Sequence, residues 1–281
     1  MCRLVGIAGP APAPLPSHDH LVTAPHALRV QADLGRVLPG GEPGHRDSWG
    51  IGWIDAEGRP SVLRQVGSAM ESPSFVFGAE TASRGSAASG PARVLIGHLR
   101  KAVAGEITTG NAHPFSVETA AGPLLFAHNG HVRESLLKSV RADLAAQGDH
   151  VGADADCDSQ VLAHWIGGRI DPFQDGAGIP GALAELIDRA RTLEEPHEAY
   201  TGMILLMALP AGLSVLRWYS RWPEYYTLHH RRDGDCDIVA SEPTDTSPDW
   251  TLLEAGVLHR FDRDGGPVRT WRVVEPTGDT A

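Results

Sequence analysis

Residues 1–10 read MCRLVGIAGP, and how that run is placed decides the fold. Residues 2–8 (CRLVGIA) read as a short buried strand that begins at the chain terminus. Chain termini ordinarily fray, and a thiol there is a liability unless it is buried or used. Two readings of Cys2 stand open. It is either a small buried residue, free cysteine being among the most buried types, or a nucleophile. In the second case removal of Met1 sets an α-amine beside the thiol. That amine, with an unperturbed pKa of roughly 8, serves as the base for its own side chain, directly or through a water.

Working outward, a loop rich in Pro and His is expected through about residue 26, with strands at 49–54 (WGIGWI) and 61–66 (SVLRQV) around the turn DAEGRP. The small, Gly-rich run GAETASRGSAASGP (78–91) reads as a mobile surface loop. ARVLIGHLR (92–100) and GPLLFAHNG (122–130) are apolar strands. Three helices follow. In 134–148 Leu136, Leu137, Val140 and Leu144 share a face, with Gly148 as the stop. DSQVLAHWIGG carries Val161, Leu162, Trp165 and Ile166 behind an Asp158 or Ser159 cap, and IPGALAELIDRARTL carries Leu183, Leu186, Ile187 and Ala190. The chain then returns to strands: a hairpin about PAG in GMILLMALPAGLSVLRWY, then YYTLHHR, CDIVAS and VRTWRVV. Strands, helices and strands again, without β-α alternation, imply an α+β fold of sheets layered with helices. No repeat or linker divides it, so residues 2–281 are expected to form a single domain.

The 281 residues, 42% hydrophobic and 21% charged, suffice for a sizeable core. A net charge of −11 argues against nucleic-acid or anionic-membrane partners, which need a basic face. Three cysteines in no metal-ligand spacing are not a disulfide framework, so a cytoplasmic protein is expected. There is no signal peptide or membrane-length apolar run. The 14 histidines show no HExxH or Cys/His spacing, and neither GxGxxG nor GxxxxGK[ST] occurs, so no metal and no cofactor is expected.

Four stretches carry candidate chemistry, each with a plain structural alternative. Cys2 is the first. In GHLRKA (97–102), Arg100 ends an apolar strand with a planar fork suited to a carboxylate, or is a surface arginine. In FAHNGHV (126–132), Asn129-Gly130 is either a hairpin turn or a side-chain amide and backbone N–H aimed at one point as an oxyanion hole. In CDSQV (157–161), Asp158 caps a helix or binds an ammonium.

In this order, with DSWGIGW, NAHPF and DIVASEP (237–243), the set resembles the class II glutamine amidotransferase family along nearly the whole chain. It is most similar to the stand-alone branch that includes the γ-glutamyl amide hydrolase of ergothioneine biosynthesis. The resemblance implies the N-terminal nucleophile hydrolase fold, a four-layer αββα sandwich. It also implies Cys2 as nucleophile, Asn129 and Gly130 as oxyanion hole, Arg100 on the substrate α-carboxylate and Asp158 on its α-amino group. The family usually places a Thr or Ser near position 103 to hold that carboxylate; this chain has Val103, and Asp47-Ser48-Trp49-Gly50 where relatives have DGWG. The expected substrate is a small-molecule γ-glutamyl amide. The competing expectations are a glutaminase that feeds ammonia to a separate synthetase partner, since no acceptor domain follows residue 281, and a non-catalytic binding protein on the same fold.

Overall fold

The N-terminal run is a strand, β1 (Arg3–Ala8), buried along its whole length. In the computed structural model, which describes residues 2–102, 105–171 and 178–274, it lies at the middle of a sheet and not at an edge. In chain order it is followed by α1 (Leu28–Leu34), β2 (Ser48–Asp55), β3 (Pro60–Val66), α2 (Pro73–Arg84), β4 (Ala92–Arg100), β5 (Phe115–Thr119) and β6 (Gly122–Val132). The helices α3 (Glu134–Ala146), α4 (His150–Ala153), α5 (Asp158–Gly167) and α6 (Gly178–Arg191) come next. The chain ends with β7 (Tyr200–Leu209), β8 (Gly212–Tyr219), β9 (His229–Asp233), β10 (Cys236–Ala240), β11 (Thr251–Leu252), β12 (Val257–Asp262) and β13 (Arg269–Arg272).

Two antiparallel sheets result, ordered β11-β9-β10-β1-β4-β2-β3 and β13-β12-β8-β7-β6-β5. Period-two alternation sends successive side chains to opposite faces, and both faces of each sheet are covered. Leu4, Val94, Ile96, Leu125, Leu206 and Val215 fill the space between the sheets. Val5, Ile7, Ile51 and Leu95 turn outward against Leu28, Phe75 and Ala79 of α1 and α2. Phe126, Met203 and Leu205 turn outward from the second sheet against Leu136, Val140, Leu162 and Leu186 of α3, α5 and α6. Double-sided burial is why CRLVGIA, ARVLIGHLR and GMILLMAL read as nearly continuous apolar runs. The architecture is the four-layer αββα sandwich of the N-terminal nucleophile hydrolase type.

Several local expectations are corrected. Residues 78–84, expected in a surface loop, are the second half of α2. Their small residues are an adaptation to close packing: Gly78, Ala79 and Ala82 are buried, and a Cβ on Gly78 would sit 2.9 Å from Leu63 Cδ2. The strand expected from Tyr225 begins only at His229, because Tyr225 and Tyr226 instead close a turn, donating their N–H groups to the Trp222 carbonyl. The helix α1 and strands β5 and β12 were not expected. Asn129-Gly130 is no hairpin turn; it lies inside β6, paired to Ile204 and Met203 of β7.

The glycines of WGIGW mark a crossing. A Cβ on Gly50 would overlap the His113 carbonyl oxygen, and one on Gly52 would lie 2.6 Å from Pro114 Cγ. The NAHPF segment therefore passes directly over β2 and enters the site region from there.

Candidate active site

Cys2 is only 7% exposed and stands at the head of β1, flanked by β4 and β10. Its backbone nitrogen donates a 2.9 Å hydrogen bond to Oδ1 of Asn129, on β6 of the other sheet. That bond fixes the orientation of the Asn129 amide, since only the oxygen end accepts. Nδ2 is left fully buried with no hydrogen-bond partner among the described residues. A buried amide donor without a partner costs about 1–3 kcal/mol, and this one belongs to the residue that holds the Cys2 nitrogen. Met1 lies outside the described residues.

Arg3 holds Cys2 from behind. Its Nη1 donates to the Cys2 carbonyl at 2.9 Å, and its guanidinium pairs with Glu242, donates to the Arg36 carbonyl and lies over the Tyr225 ring at 4.6 Å. Glu242 belongs to DIVASEP, whose Ser241 also binds β1, its Oγ accepting the Leu4 N–H at 2.9 Å. The role of Arg3 was missed in the sequence; the available signal was a charged residue inside an otherwise apolar strand.

The HNG strand is bent at the site. Pairing of β6 with β7 shifts register between Gly130 and Val132, the mark of a β-bulge, which re-aims side chains. His131 thus leaves the ladder: its N–H goes to Thr201 Oγ1 at 3.1 Å, and its Nδ1 lies 3.5 Å from Asp158 Oδ2. Gly130 admits no side chain, because a Cβ would overlap the Gly202 carbonyl. His128 faces the helical layer, with Nδ1 3.0 Å from Ser159 Oγ and Nε2 3.0 Å from the Gly202 carbonyl. Burial holds its pKa below the ordinary value.

Asp158 is the first residue of α5, one position beyond the expected cap, which is Cys157. Its Oδ1 accepts the Ser159 N–H at 2.7 Å and its Oδ2 the Val132 N–H at 2.8 Å. Burial pushes its pKa up, but the His131 hydrogen bond, the His128 ring and the Val132 N–H outweigh it and hold the carboxyl down to about 2. It stays an anion throughout the physiological range. The neighbouring Cys157 thiol is pushed the other way, to about 11, by burial and the Asp158 charge, and is a poor nucleophile.

Arg100 ends β4, 4% exposed, with Nη1 on the Glu106 carbonyl at 3.2 Å. Asp47 of DSWG ties down the chain just after it, its Oδ2 accepting the Ala102 N–H at 2.7 Å. One contact thus accounts for two of the motifs. Val103 lies outside the described residues. The His98 and His113 rings pack with centroids 4.3 Å apart and a 31° tilt, and burial holds His98 down to about 3 and His113 well below its ordinary value. Among the described residues no three His, Cys, Asp or Glu side chains gather as metal ligands.

Cys2, Arg100, Gly130 and Asp158 line one cavity of about 260 Å³, with His113, His128 and Ser159 in its wall. A buried thiol, a guanidinium and a buried carboxylate thus face a single space, and Asn129, whose Oδ1 accepts the Cys2 N–H, lies buried behind it. The family model for class-II glutamine amidotransferases matches residues 35–178, about half of the chain, and the chain belongs to that family. No curated protein sequence matches it. Among solved structures it is similar to glutamine phosphoribosylpyrophosphate amidotransferase from B. subtilis, at 18% identity and a TM-score of 0.61 over 97% of this chain. A structure described as the allosteric regulatory enzyme of purine biosynthesis aligns at 19% and 0.62, also over 97%. The chain spans about half the length of each, 49%. A glutamine amidotransferase class-II domain protein from Silicibacter pomeroyi aligns at 19% identity and 0.61, over 95% of this chain and 98% of its own. At these identities the likeness shows the fold. Among the described residues no helix is long and apolar enough to cross a membrane.

Proposed function

We propose that residues 2–281 act as one unit, a cysteine-dependent amidohydrolase that cleaves the γ-glutamyl amide bond of a small molecule through a glutamyl thioester on Cys2. The observation that carries this reading is the Asn129 amide, held by the Cys2 nitrogen with its Nδ2 buried and unpaired. Arg100 takes the substrate α-carboxylate and Asp158 its α-ammonium. These contacts lie away from the scissile bond, so binding energy spent there orients the γ-carbonyl for attack.

With Met1 removed, the α-amine of Cys2 takes the thiol proton and the thiolate attacks the γ-carbonyl carbon. The oxyanion receives hydrogen bonds from Asn129 Nδ2 and the Gly130 N–H. The C–N bond then breaks as the α-ammonium returns its proton to the leaving nitrogen, and water cleaves the thioester to release glutamate.

An amine larger than ammonia is favoured by Val103, which stands near the place of the family's carboxylate-holding hydroxyl. Glu134, Leu137 and Arg141 also line the cavity, beyond the residues given a glutamyl contact. A γ-glutamyl amide hydrolase of this kind needs no synthetase partner. Turnover of a panel of γ-glutamyl amides beside free glutamine tests it. The expected result is hydrolysis of the amides by the protein alone with little glutaminase activity. Glutamine turnover that rises only when a synthetase is added would replace this reading with the ammonia-supplying one.

A further inference from the structure

The oxyanion donors proposed above sit on β6 and the ammonium acceptor sits on α5. The separation of these two elements therefore sets the distance between the two ends of a bound glutamyl group. His128 and Ser159 bridge them. The His128 ring is 1% exposed and tied at both nitrogens, to Ser159 Oγ on α5 and to the Gly202 carbonyl on β7, each at 3.0 Å. A carbonyl only accepts, so Nε2 carries the ring proton. In the neutral ring Nδ1 then accepts, and the single Ser159 hydroxyl proton is committed to it.

That commitment has a consequence at Asp158. Ser159 Oγ lies 3.1 Å from Asp158 Oδ1, yet with its proton turned to His128 it gives the carboxylate no hydrogen bond. The Ser159 backbone N–H supplies one to Oδ1 at 2.7 Å instead. The carboxylate is thereby held at both oxygens by backbone donors, with His131 Nδ1 at 3.5 Å from Oδ2, and keeps lone-pair capacity for an incoming ammonium.

We propose that the His128–Ser159 pair is a positioning strut, fixing the Asp158 carboxylate against the strand that carries Asn129 and Gly130. It touches neither the scissile bond nor the thiol; it sets where the substrate α-ammonium sits relative to the γ-carbonyl. The inference rests on the roles given above to Asp158 and Asn129.

The test uses L-γ-glutamyl-4-nitroanilide and glutaryl-4-nitroanilide, which differ only in the α-ammonium. The readout is the ratio of their kcat/KM values in each variant. Ser159→Ala is expected to lower that ratio by up to about tenfold, the equivalent of the one neutral hydrogen bond to His128 that it removes, chiefly through KM for the amino substrate. Ser159→Thr, which keeps the hydroxyl, is expected to restore it. General loosening of the fold would lower both rates together and leave the ratio in place, which would overturn the strut. Asp158→Asn separates the two levels. If it collapses the ratio while Ser159→Ala does not, the strut is wrong and the ammonium site stands. If Asp158→Asn leaves the ratio unchanged, or the wild-type protein cleaves neither anilide, the reading beneath the inference fails as well.

Discussion

Replacing Asn129 by alanine separates a catalytic role from a structural one, because the structure predicts a large loss of rate with little change in stability. The substitution removes Nδ2, a buried donor with no partner, and relieves about 1–3 kcal/mol of desolvation penalty. It also removes Oδ1 from the Cys2 nitrogen, a loss of about 1 kcal/mol, and opens a small void at a fully buried position. These terms nearly cancel, so the folded protein is expected to hold its urea midpoint. The transition state has no such compensation. Losing one oxyanion donor costs about 3–4 kcal/mol, or roughly 10²–10³ in kcat. Purified Asn129→Ala, assayed by nitroaniline release, should show KM near wild type and kcat down by that factor. A variant that turns over normally, or one that unfolds outright with its residual rate tracking the folded fraction, would refute the assignment.

Three further outcomes follow from the geometry. Arg100→Lys replaces a planar fork by a point charge at the carboxylate end, so KM should rise roughly 10–100-fold with a smaller change in kcat; an unchanged KM removes Arg100 from substrate binding. Arg3→Met leaves Glu242 without its buried partner, at a cost of about 3 kcal/mol. Calorimetry should show Tm lower by roughly 5–10 °C for a chain of this size, and an unshifted Tm contradicts the anchoring role. Acid should also destabilise the fold. Burial keeps His98 down to about 3, His113 well below its ordinary 6.5 and His128 below it too. Below pH 6.5 the unfolded chain binds protons that the folded chain refuses, so stability falls with pH by up to about 1.4 kcal/mol per unit for each histidine. Urea midpoints measured from pH 7.5 to 5 should decline; a flat series would show these rings already charged or exposed.

Much of this was legible in the sequence because double-sided burial writes itself as apolar runs. CRLVGIA, ARVLIGHLR and GMILLMAL each announced a strand, and α3 and α5 announced themselves by spacing. What failed was reading by composition: residues 78–84 are small because α2 packs close to β3 at Leu63, not because they form a loop. The HNG dipeptide pair was ambiguous for the same reason. A turn and a bulged interior strand both need Gly at that place, and only the Gly202 carbonyl across the ladder distinguishes them. The supporting polar groups were the least visible. Arg3, Asp47 and Ser159 act on residues 239, 55 and 31 positions away respectively, and pairs so far apart in the chain leave no local pattern.

The central claim is that Cys2, freed of Met1, is the nucleophile, and trapping it tests this most directly. Native protein incubated with 6-diazo-5-oxo-L-norleucine, a glutamine analogue that alkylates an attacking thiol, is analysed by intact mass and peptide mapping. The account predicts a mature chain that begins at Cys2 and carries one adduct, on Cys2, with Cys157 and Cys236 unmodified. A chain that retains Met1, or an adduct placed on Cys157, would contradict it.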